Sequence, residues 1–125
     1  MRLPYIFLTA LYCWVIFVSS SNTDPPELPM IPQADKLAHL VLFGGLAALV
    51  SIGLRHGNRL PSARVQFWLP VAFAVFYGFK DEFHQFFVPN RSPSLADIAA
   101  DTCGALLAQA FLCFYLWRMR WNLAE

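Results

Sequence analysis

Four long apolar stretches take up most of a 125-residue chain, and no other feature limits its fold as strongly. They run over about 3–18, 37–54, 65–88 and 95–117, with short polar segments between them. As helices rising about 1.5 Å per residue they measure about 24, 27, 36 and 35 Å, against a hydrocarbon thickness of about 30 Å. The composition agrees: 58% of residues are hydrophobic, only 14% are charged, and mean hydropathy is positive. That balance lies outside the soluble globular average. The expectation is one all-α domain over residues 1–125, an integral membrane bundle of about four transmembrane helices.

The first stretch has a second reading as a secretory signal peptide, with Arg2 as its n-region and Val18-Ser19-Ser20 as a small-residue cleavage site. Its apolar core is long for that role and its n-region holds a single Arg, so an uncleaved span is preferred. Orientation follows from the basic residues. Arg2, Arg55, Arg59 and Arg64, with Arg118 and Arg120, flank the ends that would share one side, which places both termini in the cytoplasm. Acids gather at the other end. Pro25, Pro26, Pro29 and Pro32 make the first polar segment an extended strap along the outer surface.

A net charge of +1 offers no basic surface for phosphate backbones, so a nucleic-acid partner is not expected. Cys13, Cys103 and Cys113 sit in apolar stretches without metal or redox spacing and read as small hydrophobes.

Three segments carry charge to one level of the bundle. Asp35-Lys36-Leu37-Ala38-His39 opens the second stretch and sets Asp35 and His39 one turn apart. Lys80-Asp81-Glu82-Phe83-His84-Gln85 ends the third, with Asp81 and Gln85 on one face. Asn90-Arg91-Ser92-Pro93-Ser94 leads into the fourth, which bears Asp97 and Asp101 at i, i+4. Charged side chains inside a bilayer cost about 2.5–3.5 kcal/mol each near the centre, so these face one another or a wet cavity. Ala100, Gly104 and Ala108 in the fourth stretch, and Gly44 and Ala48 in the second, form small-residue rows that let helices approach closely and would carry Asp97 and Asp101 toward Asp81, Glu82 and Arg91.

Plainer roles exist for the same residues. Ser94 and Asp97 have capping-box spacing, Asp35 is placed as an N-cap, and Asp81, Glu82 and Asp101 could form an ion-pair network with Arg91 and Lys80 that only locks the bundle.

The ordered set Asp35-Lys36-x-x-His39, then Glu82-x-x-Gln85-x-x-x-Pro89-x-Arg91, then Ser94-x-x-Asp97 and Gly104, resembles the VanZ-like family over about residues 35–107. Two positions depart from that family's pattern. Asn90 stands where Gly commonly precedes the Arg, and a left-handed turn is still open to it. Asp101 stands where Asn is common and adds an acid. The resemblance implies a small membrane protein of a bacterial inner (plasma) membrane, in a family named for a protein associated with teicoplanin resistance; resistance itself does not transfer with the name.

Three kinds of function fit the residues. In the first, Asp35, Lys36, His39, Asp81, Glu82, Gln85, Arg91, Asp97 and Asp101 form an outward-facing pocket for an anionic lipid or a lipid-linked envelope precursor. Arg91 grips phosphate bidentately and Lys36 adds a point charge. In the second, the protein is a membrane-embedded hydrolase or transferase in which Glu82, Asp81 or His39, held by Asp35, moves protons. The third is a structural accessory protein. His39, Glu82, Asp97 and Asp101 are the residues a metal-dependent enzyme would use, but no HExxH-like spacing is present, so neither metal nor cofactor is expected. A homo-oligomer is compatible with all three.

Overall fold

A computed structural model describes residues 1–23 and 34–122, with side chains described through residue 116. It is all-α. Helices α1 (Leu3–Ser20), α2 (Ala34–Arg55), α3 (Ala63–Gln85) and α4 (Leu95–Asn122) follow one another in the chain, and no strand occurs among the described residues. The Pro-rich segment expected to form an outer strap falls on residues 24–33, outside the described residues.

Local chemistry sets the helix starts. Pro4 stands in the first turn of α1, where a missing amide hydrogen is harmless. Ser62 caps α3 by accepting from the Val65 amide, and the Ser94 hydroxyl accepts from the Ala96 amide at the start of α4, 3.2 Å away. α2 begins at Ala34, which puts Asp35 inside its first turn and not at the N-cap. Asp35 still favours the positive end of the helix dipole. α3 closes at Gln85, three residues short of the end of its apolar stretch.

Among the described residues three helices, α1, α2 and α4, are long and apolar enough to cross a membrane. α3 is 23 residues long but carries Lys80, Asp81 and Glu82 in its last turns. Large apolar side chains cover the outside: Phe76 is 71% exposed and Phe83 70%, whereas Asp81 is 2% and Asp101 0% exposed. Apolar surface outside and carboxylates inside is the arrangement expected where the surrounding solvent is lipid.

Neighbouring helices run in opposite directions. α1 and α3 lie parallel, joined where the Tyr77 hydroxyl donates to the Cys13 carbonyl at 2.6 Å. α2 and α4 run parallel in the other sense, with Gly44 on Gly104. The C-terminal ends of α1 and α3 and the N-terminal ends of α2 and α4 therefore share one end of the bundle. Arg2, Arg55, Arg59 and Arg64 belong to the opposite end.

The broadest contact is between α2 and α4. A Cβ on Gly104 would collide with the Leu40 carbonyl, and one on Gly44 would stand 3.0 Å from the Gly104 carbonyl oxygen. The small-residue rows thus bring the two backbones together, although on α2 the buried partner of Gly44 is Ala47 and not Ala48. α1 packs on α2 through Tyr12, whose hydroxyl donates to the Leu42 carbonyl at 3.0 Å. Ile16, Phe43, Leu46, Ala47, Val50, Val71, Ala74 and Ala105 make the apolar core.

Gln109 is fully buried in this core. Its amide donates to the Ala47 carbonyl at 3.2 Å, while its Oε1 has no partner among the described residues. A buried acceptor left unpaired costs about 1–3 kcal/mol, and the Ala47 carbonyl keeps its helical bond without the amide. Gln109→Leu is expected to stabilise the bundle by about 1 kcal/mol in SDS-driven unfolding; a comparable loss would mean that the amide holds α2 and α4 together.

Candidate functional site

The buried stripe of α3 continues without a break from apolar to polar: Val71, Ala74, Gly78, then Asp81, Glu82 and Gln85. These positions recur every three or four residues, so the periodicity that buries the core also buries the acids. α4 repeats the pattern, with Asp97, Asp101, Gly104, Ala105 and Gln109 facing in. His39 enters from the first turns of α2. The result is a polar cluster in the shared end of the bundle.

Its centre is the contact between His39 and Asp101, with Nδ1 3.0 Å from Oδ1. Where Asp101 is ionised its carboxylate can only accept, and Nδ1 then donates to it. His39 is therefore held by Asp101 and not by Asp35, as the spacing within α2 had led us to expect. Asp101 rests on Gly78, where a Cβ would lie 2.5 Å from Oδ2. A lone glycine inside the bulky run Phe76-Tyr77-Gly78-Phe79 marks such a close approach, and it escaped the sequence reading.

Asp35 finds a different partner. The Lys36 ammonium donates to its Oδ2 at 2.7 Å and lies 3.4 Å from Asp97 Oδ1. Side-chain exposure falls along this series, from 61% at Asp35 through 33% at Lys36 to 10% at Asp97, with His39 at 17% and Asp101 at 0%. The polar residues thus lead from the surface to the interior.

Glu82 completes the start of α4. Its Oε2 accepts from the Ser94 amide at 2.6 Å, the bond that Asp97 would make in a reciprocal capping box. Because Glu82 from α3 takes this role, Asp97 is left to face Lys36. Gln85 donates to Asp81 Oδ2 at 3.2 Å, one turn back on the same helix. Among the described residues, Asp81 Oδ1, Glu82 Oε1, Asp97 Oδ1 and Asp101 Oδ2 are buried without a hydrogen-bond partner.

The two remaining cations stand apart from these acids. Arg91 reaches across to the end of α1, where Nε donates to the Asn22 carbonyl at 3.1 Å and an Nη2 hydrogen to Ser19 at 3.4 Å. No described carboxylate lies within ion-pair reach of it. Its predicted approach to Asp81 and Glu82 is replaced by capping of α1, whose last carbonyls need donors. Lys80 lies outside over the rings of Phe17 and Tyr77, 4.4 and 4.8 Å from their centres. Asn90 takes φ 62°, so the left-handed turn ahead of Arg91 is kept without glycine. Nearby, the Ser21 hydroxyl and His84 Nε2 are 2.9 Å apart, a tie between α1 and α3 that the sequence did not signal.

Two hollows adjoin the cluster. A cavity of about 220 Å³ is lined by Asp35, His39, Asp81, Gln85 and Arg91 together with the apolar Ile16, Leu42 and Phe43. On the other side, Phe79, Phe83, Phe86 and Ile98 form an apolar groove of about 420 Å³ with Glu82 and Ser94 at its polar edge. Chemically the cluster offers anion donors at its rim and surplus carboxylate oxygens within.

A sequence model described as VanZ/LLP1 matches residues 5–118, covering all four helices in whole or in large part. Neither a curated protein nor a solved structure matches the chain.

Proposed function

The chain belongs to the VanZ/LLP1 family of membrane proteins, and on that footing we propose that it binds the phosphorylated head group of an anionic lipid or of a lipid-linked envelope precursor. The setting is a bacterial inner membrane, crossed several times with both termini in the cytoplasm and the polar cluster facing out. Basic residues at the opposite end of the bundle favour that orientation. A part in envelope maintenance, glycopeptide tolerance included, would follow from the precursor form of the ligand.

One observation carries the reading: Arg91 is tethered by two backbone carbonyls and paired with no described carboxylate, at the wall of a mainly apolar cavity that also holds polar side chains. A guanidinium held this way presents its fork and its full charge to phosphate. The volume limits what enters. At about 220 Å³ the cavity is smaller than the roughly 300–1,000 Å³ of pockets that enclose whole small molecules, which suits a head group whose chains stay in the bilayer.

A second reading, hydrolysis or group transfer at that head group, is favoured by two buried oxygens without a hydrogen-bond partner among the described residues, Oδ1 of Asp81 and Oε1 of Glu82, with Glu82 beside His39.

Native mass spectrometry of the gently purified protein tests binding. Wild type is expected to retain a phosphorylated lipid, Arg91→Ala to lose it, and Arg91→Lys to hold it about tenfold more weakly, since the ammonium keeps the charge and loses the fork. Equal retention by all three proteins would rule out the pocket as the binding site.

A further inference from the structure

We infer that His39, Glu82 and Asp97 form a binding site for one divalent transition-metal ion, of the zinc or manganese class. One ligand atom from each of the three lies within 4.8 Å of the other two, on three different helices. This deepens the head-group reading, on which it rests only for what completes the coordination of the ion.

The donor types fit. An imidazole nitrogen and two carboxylates suit zinc or manganese better than magnesium or calcium, which favour oxygen alone. Bonds of about 2.0–2.2 Å in tetrahedral geometry set ligand atoms about 3.4 Å apart, so the widest pair would close by no more than about 1.4 Å, within reach of side-chain rotation.

His39 is already set for the task. The Asp101 carboxylate lies against Nδ1, and a carboxylate in that place orients from behind a histidine that binds metal through Nε2. Asp101 is thus a positioning residue.

An independent observation points to a missing partner. Glu82 is 4% exposed and Asp97 7% exposed, and each keeps one buried oxygen, Oε1 and Oδ1, without a hydrogen bond among the described residues. Asp97 has Lys36 at 3.4 Å, and no described cation lies within ion-pair distance of Glu82. Buried carboxylates with spare lone pairs are costly unless a cation or a proton meets them. A doubly charged ion at this point also lowers the repulsion that Asp81, Glu82, Asp97 and Asp101 would exert on an incoming phosphate. His39 lines the mixed cavity and Glu82 edges the apolar groove, so an ion between them lies where a head group would meet its chain. Three protein ligands leave a coordination position for a phosphate oxygen or water.

The test uses the full chain in detergent, stripped by a chelator and titrated with zinc or manganese ion alone, in the presence of excess magnesium. Elemental analysis should find one ion per chain. Glu82→Gln retains an oxygen for the Ser94 amide, so its fold should survive; Asp97→Asn removes an inward charge without changing shape. Each should weaken the ion about 100-fold, and Asp101→Asn about tenfold, as loss of a partner behind a ligand does. Helical content by circular dichroism verifies that the variants are folded. No stoichiometric ion in wild type, or equal uptake by wild type and both folded ligand variants, overturns the site. The lipid reading fails separately. Ion uptake without any retained phosphorylated lipid leaves the metal site standing and removes the head group. Lipid held equally by stripped protein that takes up no ion does the reverse.

Discussion

Gly104→Ala is expected to cost the bundle about 3 kcal/mol or more, a large share of a typical stability of about 5–15 kcal/mol. The added methyl would be driven into the Leu40 carbonyl. A flexible side chain could move aside; a backbone carbonyl in mid-helix cannot turn without breaking its own hydrogen bond. The alternative is for α4 to withdraw from α2 along their whole contact, which is the broadest in the molecule. That withdrawal would also open the bond between His39 and Asp101, which lies one turn from Gly104.

A neighbouring substitution supplies the contrast. Cys103 precedes Gly104 and is exposed, so Cys103→Ala should change stability by no more than about 0.5 kcal/mol. Gly44→Ala should fall between the two, because its Cβ would stand 3.0 Å from the Gly104 carbonyl oxygen. The measurement is SDS-driven unfolding in mixed micelles, followed by near-ultraviolet circular dichroism. If Gly104→Ala unfolds at the same SDS fraction as wild type, α2 and α4 do not meet along this glycine contact.

The sequence displayed the helices openly, because lipid leaves a chain few ways to satisfy its backbone and each crossing segment must be long and apolar. It also displayed which residues would be polar and inward. Asp81 and Gln85, or Asp97 and Asp101, fall on one stripe by spacing alone, and the small residues at 44 and 104 mark where helices touch. Pairing was hidden. Spacing within α2 joins His39 to Asp35, whereas the fold joins it to Asp101 on α4. The reason lies in Gly44 and Gly104, which set the register of α2 against α4 and so bring residue 39 level with residue 101. Register between helices is a property of two surfaces, and one helix's periodicity does not contain it.

Arg91 shows the same limit. Three nearby acids made an ion pair the natural expectation, yet the end of α1 presents carbonyls that need donors, and Arg91 is long enough to reach them. Glu82 shows it in reverse. Ser94 and Asp97 hold a capping-box spacing, but an acid from α3 makes the bond to the Ser94 amide first. In both cases a group from elsewhere in the chain outcompeted a local partner.

His39→Leu is expected to destabilise the protein by about 3–5 kcal/mol, the cost of leaving one member of a buried pair alone. The Asp101 side chain is 0% exposed and its Oδ2 already lacks a partner among the described residues. Removing His39 strips Oδ1 as well. Leucine has nearly the same branching as aspartate, so Asp101→Leu can occupy the space over Gly78, and the double variant removes both members of the pair. Replacing both members of such a pair by apolar residues is often neutral or stabilising. The double variant should therefore recover most of what His39→Leu loses, by SDS-driven unfolding. A double variant as unstable as the single one would show that the histidine matters for its packing against Phe43, 5.9 Å away between ring centres, and not for its charge relation with Asp101. The recovered protein is also the instrument that separates structure from function. If the cluster only locks the bundle, a stable protein without His39 and Asp101 should hold lipid as wild type does. If His39 is a ligand, the same stable protein should no longer bind the divalent ion.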